Sequence, residues 1–427
     1  MSQATPSSAR FLISSSFLYL GLVWFLSGLS RSAGVVIFGV GLALLAGALA
    51  LVAKRRWRPL FALYLAGLLA GTVAGGLELT LRLAPGILTG AVANRAYGGY
   101  HAGPGGIYER DDHLGYVFRP SLSRRIYWNG HWWTHEANAA RYRGPERQTA
   151  DTIFLGDSMI YGHGVETAET VSERYASRTG HVCVNLGQQG ACLVQMWLKL
   201  RRWGPVLRPG TIIICSHPND VTESALWYPP DELDRFVEDT SGDFEPKVRP
   251  RYAPRPWRVD RFWNDHIAPP LRLAGALRGE YLRWRGKEAG GDDGAGGQPS
   301  AAGPFVPPPA EIDAPFDPLG SAAPETLRRG WRVHTAALER ICGLARALGA
   351  RVVLLDLGYP RAFCSAIQAE AARLGTAYSP AGRDVLERAL AGEEVYLSRD
   401  GHWSPLGNDA IASALAACVR EMPAASK

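Results

Sequence analysis

Two short motifs place reactive side chains where a buried chain must turn. Ser158 ends the Gly-Asp-Ser sequence 156–158, which directly follows the apolar run 152–155. His402 lies near the C-terminus in the Asp-Gly-His-Trp sequence 400–403. A serine becomes a nucleophile when a base takes its proton, and an imidazole base needs a group that fixes its tautomer. The residue types therefore predict Ser158 as nucleophile, His402 as base and Asp400 as its orienting acid.

Two further motifs follow strand-like runs. The run 181–186 leads into a glycine-rich turn that ends at Gly190, and the run 211–216 leads into His-Pro-Asn-Asp at 217–220. The carboxyl ends of parallel strands lie side by side and form the ligand crevice of an α/β sheet. A glycine N–H and an Asn amide can both donate to the oxyanion that develops during acyl transfer. Gly190 and Asn219 are therefore candidate oxyanion donors.

The order of these motifs resembles the SGNH (GDSL-type) hydrolases. Gly-Asp-Ser, Asn-x-Gly-x-x-Gly, Asn-Asp and Asp-x-His-Trp occur in the family's order within about residues 110–420. The resemblance implies a three-layer α/β/α domain with a parallel sheet. It also implies that the Ser158 N–H, the Gly190 N–H and the Asn219 amide hold the oxyanion, with His402 as base and Asp400 as acid.

Two positions depart from the usual family pattern. The third block is commonly Gly-x-Asn-Asp, but residue 217 is His, so we expect a different backbone leading into Asn219. The last block is commonly Asp-x-x-His, but residue 399 is Arg, so the acid must be Asp400. This Asp-x-His-Trp variant is similar to the branch that includes polysaccharide O-acetylation enzymes.

Several of these residues also have structural interpretations. Gly190 is also compatible with a strand-ending turn, and the Asn219-Asp220 pair with an N-cap of the next helix, although the oxyanion roles are favoured. Asp157 is expected to hold the serine turn through hydrogen bonds. Structural roles are expected for three histidines without a recognisable partner, His163, His181 and His217. A tryptophan cluster fits a sugar-binding face, but core packing is favoured: Trp128, Trp132 and Trp133.

The first 84 residues differ in character from the rest. Residues 11–30, 32–53 and 60–77 contain no charged side chain, and each run is close to the ~20 residues that cross a bilayer as a helix. Four basic residues lie between the second and third runs, whereas only Arg31 separates the first two. The positive-inside bias then predicts three transmembrane helices, which bind the lipid bilayer and place the catalytic domain on the extracytoplasmic side.

The charge and the cysteine content of the sequence bear on nucleic-acid binding, disulfide bonds and metal sites. The formal net charge is +6, but no basic stripe interleaved with aromatics is present, so we expect no nucleic-acid partner. Six cysteines allow 15 complete pairings, and sequence does not choose among them. Cys183 and Cys215 are expected as buried thiols, which leaves room for one or two disulfides among the other four. No spacing typical of a metal site occurs, and the predicted chemistry needs neither metal nor cofactor.

The predicted organisation has three parts. Residues 1–84 form the anchor, residues 85–150 a connecting segment with short strands, and residues 151–427 the α/β catalytic domain. Alternation of strands and helices in this last part predicts the parallel sheet. An insertion at about 224–323 interrupts the domain, and its residues 286–323 are poor enough in apolar side chains to predict disorder.

The leading functional prediction is a membrane-anchored serine esterase acting on an acylated small molecule, glycan or lipid outside the cytoplasm. Two alternatives stay open. One is a carbohydrate O-acyltransferase that modifies an envelope polysaccharide, since an acyl-enzyme can be resolved by water or by a hydroxyl. The other is a non-catalytic envelope protein that keeps the SGNH fold as a scaffold.

Overall fold

The computed structural model describes residues 106–250 and 305–422, together with residues 73, 76–77, 80–81, 83–88 and 90–100. The chain divides into two compact units. The first comprises residues 1–106 and 256–290, and the second comprises residues 107–255 and 291–427. All four motifs lie in the second unit.

The described part of the first unit is helical. A 3-10 turn at Pro85–Ile87 precedes helix α1, Gly90–Tyr97, and the Tyr97 hydroxyl donates to the Leu81 carbonyl at 3.0 Å. The connecting segment was expected to lack helices, and its alanines at three of these eight positions favour one. Within the described residues, no helix has the length and apolarity to cross a membrane. The three apolar runs lie outside those residues, apart from positions 73, 76 and 77.

Two antiparallel hairpins open the second unit. The first pairs β1 (Tyr108–Asp111) with β2 (Gly115–Phe118), and the second pairs β3 (Leu122–Trp128) with β4 (His131–Ala137). Asn129 and Gly130 form the turn of the second hairpin, both at positive φ. Asn-Gly is the pair that favours such tight turns, because both residues tolerate the left-handed region.

Five parallel strands form the central sheet. They are β5 (Thr152–Leu155), β6 (Cys183–Asn185), β7 (Thr211–Cys215), β8 (Arg351–Leu355) and β9 (Ala377–Ser379). The strand order is β6-β5-β7-β8-β9, so the chain moves to one side after β5 and to the other side after β6. Such a switch point opens a crevice at the carboxyl ends of the strands. The sequences after β5 and β7, which carry Ser158 and Asn219, meet there.

Helices cover both faces of this sheet. They are α2 (Ser158–Tyr161), α3 (Val171–Thr179), α4 (Leu193–Leu207), α5 (Pro218–Trp227), α6 (Pro230–Glu238), α7 (Pro309–Ile312), α8 (Glu325–Ala347), α9 (Arg361–Leu374), α10 (Ala381–Leu390) and α11 (Pro405–Glu421). Ile153 and Leu155 pack into one apolar core with α4 and α8, whereas Phe154 packs into a second core with α3 and α11. The strands are apolar at successive positions because both of their faces are buried.

The alternation of strands and helices confirms the predicted parallel α/β architecture. The sequence did not predict the short strand β9 or the helices α6, α7 and α10. Part of the segment that composition predicted to be disordered is folded. Phe316 lies edge-on to Trp331 and Phe363, with ring centroids 5.3 and 5.0 Å away, and Ile312 is buried. A few apolar anchors thus fix residues 305–323, although the average composition is polar.

All six cysteines lie among the described residues as free thiols. Cys183 and Cys215 are buried in β6 and β7, as the sequence predicted. The disulfides that the even count allowed are not formed.

Candidate active site

Ser158 begins helix α2 immediately after β5. Asp157 is the N-cap of this helix, where its Oδ1 accepts a hydrogen bond from the Met159 N–H at 2.9 Å. Gly156 is required at the turn, because a Cβ there would meet the Ile160 side chain at 2.4 and 2.8 Å. The short helix therefore holds the serine at the carboxyl edge of the sheet, and Asp157 has the structural role expected of it.

Ser158, His402 and Asp400 form a continuous hydrogen-bonded chain. His402 Nε2 lies 2.7 Å from Ser158 Oγ, and His402 Nδ1 is hydrogen-bonded to Asp400 Oδ1. The His402 side chain is 16% exposed, whereas that of Asp400 is 5% exposed. The serine and its base are therefore reachable from solvent, and the acid is shielded behind them.

A tight turn before α11 brings the Asp400 carboxylate to the His402 ring, although only one residue separates the two. Asp400 Oδ1 accepts from the His402 backbone N–H at 3.0 Å as well as from its ring. Arg399 enters the turn at φ 62°, in the left-handed region. One carboxylate oxygen thus fixes both the backbone and the imidazole of the residue two positions later.

Asn129, at the tip of the second hairpin, holds the other oxygen of the acid. Its Nδ2 donates to Asp400 Oδ2 at 3.1 Å. The neighbouring His131 places Nε2 2.8 Å from the Ser398 carbonyl oxygen, so the hairpin is attached to the same turn twice. With both oxygens bonded, Asp400 is held in one orientation.

The electrostatics suit a general base. Burial opposes protonation of His402, but the charge of Asp400 and its hydrogen bond outweigh it, so the pKa of His402 is raised above its ordinary value. Burial works against ionisation of Asp400, and His402 more than compensates, so the pKa of Asp400 is lowered. The acid is therefore ionised when His402 accepts a proton.

His163 covers the catalytic imidazole. Its ring is stacked on that of His402 with centroids 4.2 Å apart and 21° between the planes. Burial, followed by the charge of His402, lowers the pKa of His163 well below its ordinary value. Trp133 and Trp128 also contact this ring, at centroid distances of 4.8 and 5.9 Å. Trp133 is fully buried, so it packs in the interior as expected.

The candidate oxyanion donors Gly190 and Asn219 both lie close to Glu223, a residue outside the four motifs. Asn219 Nδ2 donates to Glu223 Oε1 at 3.0 Å. A Cβ built on Gly190 would lie 3.8 Å from the same oxygen. Gly190 has φ 62°, which favours glycine, and its carbonyl accepts from Trp227 Nε1 at 2.8 Å.

His217 occupies the position where the family pattern has glycine. Its backbone is extended, with φ −116° and ψ 148°, a conformation that any residue adopts. The ring caps α5, since Nδ1 accepts from the Asn219 N–H at 3.2 Å. Burial is the main reason that the pKa of His217 is lowered. A neutral imidazole thus does the capping, and no glycine is needed to start this helix.

Arg143 and Asn185 donate hydrogen bonds to backbone carbonyls in and after the serine helix α2. The buried Arg143 guanidinium donates to the carbonyls of Tyr161, Gly162 and Val165 at 2.5–2.6 Å. Asn185 Nδ2 donates to the Ile160 carbonyl at 2.7 Å. These bonds satisfy carbonyls at the end of a one-turn helix that has few partners of its own.

One group of side chains has the composition of a metal site. His163, Asp400 and His402 bring ligand atoms within 4.8 Å of one another. Asp400 and His402 are already bonded to each other, and His402 Nε2 faces Ser158. A metal on Nε2 would take the lone pair that a base needs, so the hydrogen bonds favour the triad.

Comparisons with known proteins add little. No protein-family model matches this chain, and no curated protein matches it. The crystal structure of TesA is similar to it with 14% sequence identity and a TM-score of 0.34, over 63% of this chain and 97% of that one. A likeness of this size assigns neither a fold nor an activity, so function has to be argued from the geometry of the site.

Proposed function

We propose that this chain is a serine esterase of the SGNH type that cleaves acyl esters through an acyl-enzyme on Ser158. The observation that carries the proposal is the hydrogen-bonded chain from Ser158 Oγ through His402 to Asp400, with 2.7 Å at its first step. The order of the four motifs supports it, and so do the positions of Ser158 and Asn219 after β5 and β7, the strands that flank the switch point.

The residues suggest a two-step reaction. Ser158 Oγ attacks the ester carbonyl while His402 Nε2 takes its proton, and the Ser158 N–H, the Gly190 N–H and the Asn219 amide hold the resulting oxyanion. When the tetrahedral intermediate collapses, His402 returns the proton to the leaving alkoxide. Water then attacks the acyl-enzyme with His402 again as base, which releases the acid and restores Ser158.

Replacing the nucleophile tests this function. Ser158→Ala should lower the turnover of an activated acetyl ester on the order of a thousandfold or more, since catalysis by the triad is lost as a unit. Ser365→Ala, on the exposed surface of α9, is the matched control. A fluorophosphonate probe should label the wild type and the control but not Ser158→Ala. Wild-type turnover in Ser158→Ala would rule out the nucleophile, and absence of labelling in the wild type would favour a non-catalytic scaffold.

The Asp-x-His-Trp block is the observation that favours a carbohydrate hydroxyl as the acceptor. A sugar hydroxyl can replace water in the second step, with the same proton transfer to His402. Incubation with an acetyl donor and oligosaccharides distinguishes the two outcomes. Acetylated sugar in excess of free acetate indicates transfer, whereas acetate alone with every acceptor indicates hydrolysis.

We also propose that the three apolar runs anchor the chain and place this site on the extracytoplasmic side. The four basic residues between the second and third runs support that orientation. A phosphatase that is active only when exported, fused after residue 90, should be active. An inactive fusion, with an active cytoplasmic reporter at the same point, would reverse the orientation.

A further inference from the structure

Glu223 brings a carboxyl group to the place where the oxyanion would be held. It lies four residues after Asn219 on α5, so both side chains project from the same face of the helix. Glu223 Oε1 accepts from Asn219 Nδ2 at 3.0 Å and lies 3.8 Å from where a Cβ on Gly190 would stand. Among the residues that the structure describes, its other oxygen, Oε2, is buried without a hydrogen-bond partner. These features distinguish Glu223 from a carboxylate that forms an ordinary ion pair at the protein surface.

We propose that Glu223 is a positioning residue of the oxyanion hole, which holds the Asn219 amide with its N–H groups directed toward the substrate carbonyl oxygen. This inference rests on the proposed esterase function. An Asn side chain has a donor end and an acceptor end of almost the same shape. An oxygen that accepts a hydrogen bond selects the donor end. Because Nδ2 carries two hydrogens, one can stay on Glu223 while the other binds the oxyanion.

The surroundings of Glu223 favour a neutral carboxyl. Burial, followed by the charge of Asp157, raises the pKa of Glu223 to about 7, although the hydrogen bond from Asn219 lowers it. Asp220 on the same helix and Cys192 at the start of α4 are further groups whose charge interacts with Glu223, and both are acidic. No positive charge offsets these groups among the causes of the shift.

Basic groups on the helices packed against α5 have other partners. Arg329 on α8 pairs with Asp234 on α6 at 3.3 Å. His334, also on α8, lies 3.2 Å from Ser216 Oγ, and burial lowers its pKa to about 3. Lys199 on α4 donates to the Leu186 carbonyl at 2.9 Å. Because these basic groups are bonded elsewhere, none of them stabilises an ionised Glu223, and its neutral form is favoured.

The charge state of Glu223 then matters for catalysis. A neutral carboxyl accepts through Oε1 and adds no charge next to the hole. An ionised one keeps the hydrogen bond but places a negative charge beside the developing oxyanion, which repels it. Since Glu223 ionises as the pH rises through about 7, the esterase should lose activity on the alkaline side of that value.

The test is the pH profile of kcat/KM for 4-nitrophenyl acetate, measured with the full chain as wild type, Glu223→Gln, Glu223→Ala and Glu238→Gln. Gln keeps the accepting oxygen and cannot ionise. Glu223→Gln should match the wild type at pH 6.5 and exceed it by roughly tenfold at pH 8.5. Glu223→Ala should lose up to about a hundredfold at every pH, because the amide is no longer held. Glu238 is exposed on α6, and its variant should follow the wild type.

Two outcomes would overturn the inference: an alkaline decline in Glu223→Gln equal to that of the wild type, or wild-type activity in Glu223→Ala at pH 6.5. If Glu223→Ala does not fold, the isosteric Gln variant still decides. The double variant Asn219→Ala/Glu223→Gln adds a check. At pH 8.5, Glu223→Gln should raise kcat/KM less in the Asn219→Ala background than in the wild type, because the amide that Glu223 positions is absent. A wild type that shows no Ser158-dependent turnover would instead remove the esterase function, and this inference with it.

Discussion

The imidazole of His163 lies flat against that of His402, with 4.2 Å between ring centroids. The His163 ring also contacts Trp133 and Trp128. Since His163 stays neutral, it offers an aromatic surface to the positive charge that His402 gains during each turnover.

Removing this surface should weaken the catalytic base. His163→Ala is expected to lower kcat/KM by roughly tenfold, because a ring facing a cation contributes about 1 kcal/mol or more when shielded from water. His163→Phe keeps the ring without its nitrogens and should stay within about threefold of the wild type. Steady-state kinetics on an activated ester measures both. If Phe were as damaging as Ala, the nitrogens rather than the ring face would be what matters.

Asn129 should act on catalysis through Asp400. Asn129→Gly keeps a residue that tolerates φ 45° but loses the amide on Asp400 Oδ2, so we expect a loss of about tenfold in kcat/KM. Asn129→Asp retains the turn propensity and sets a second carboxylate beside Asp400, which should be worse. Thermal unfolding of both variants checks that the hairpin is intact. Equal kinetics in all three proteins would show that the hairpin only packs here.

On the acid side of the pH profile, the rate should follow the titration of His402. The base must be neutral, so kcat/KM falls as the pH drops through its pKa, which the charge and hydrogen bond of Asp400 keep above the ordinary value. Asp400→Asn removes that influence. The acid limb should therefore move to lower pH while the plateau falls by about a thousandfold or more. An unmoved acid limb would mean that another group controls it.

The serine turn should be sensitive to a single methyl group. Gly156→Ala would bring a Cβ within 2.4 Å of the Ile160 side chain and 3.3 Å of Cys215, so we expect a loss of about 1–3 kcal/mol in unfolding free energy. Gly343→Ala is the matched control, since this residue lies within α8, four positions before its end, and a Cβ there meets nothing within 4 Å. That change should stabilise the protein by about 0.5–1 kcal/mol. Chemical denaturation compares the two.

The parts that sequence predicted well are those specified by local pattern. Strands such as Thr211–Cys215 are continuous apolar runs, and helix α11 begins at Pro405, a residue that suits the first turn of a helix. The triad was predicted by residue type and motif order, and the structure brings Ser158, His402 and Asp400 together. For Gly190 and Asn219, the structure shows a shared neighbour, and their donation to an oxyanion stays a prediction.

Residues that act through distant contacts were missed. Asn129 and Asp400 are 271 positions apart, and nothing in either segment indicates that they meet. His163 follows the serine closely, but its stacking depends on the turn that carries His402. Glu223 had a usable signal, since a carboxyl four residues after a candidate donor lies on the same helical face. Disorder was predicted over 286–323, but residues 305–323 of that segment are folded, because average composition does not register single anchors such as Phe316.

The second hairpin and Arg143 also set the smallest fragment that can hold a working site. A fragment starting at residue 151 would contain all five site residues predicted from the sequence. It would lack the amide that holds Asp400 and the guanidinium that ties down the three carbonyls after the serine. Residues 122–143 thus complete the active site, and an autonomous catalytic fragment has to begin ahead of β3.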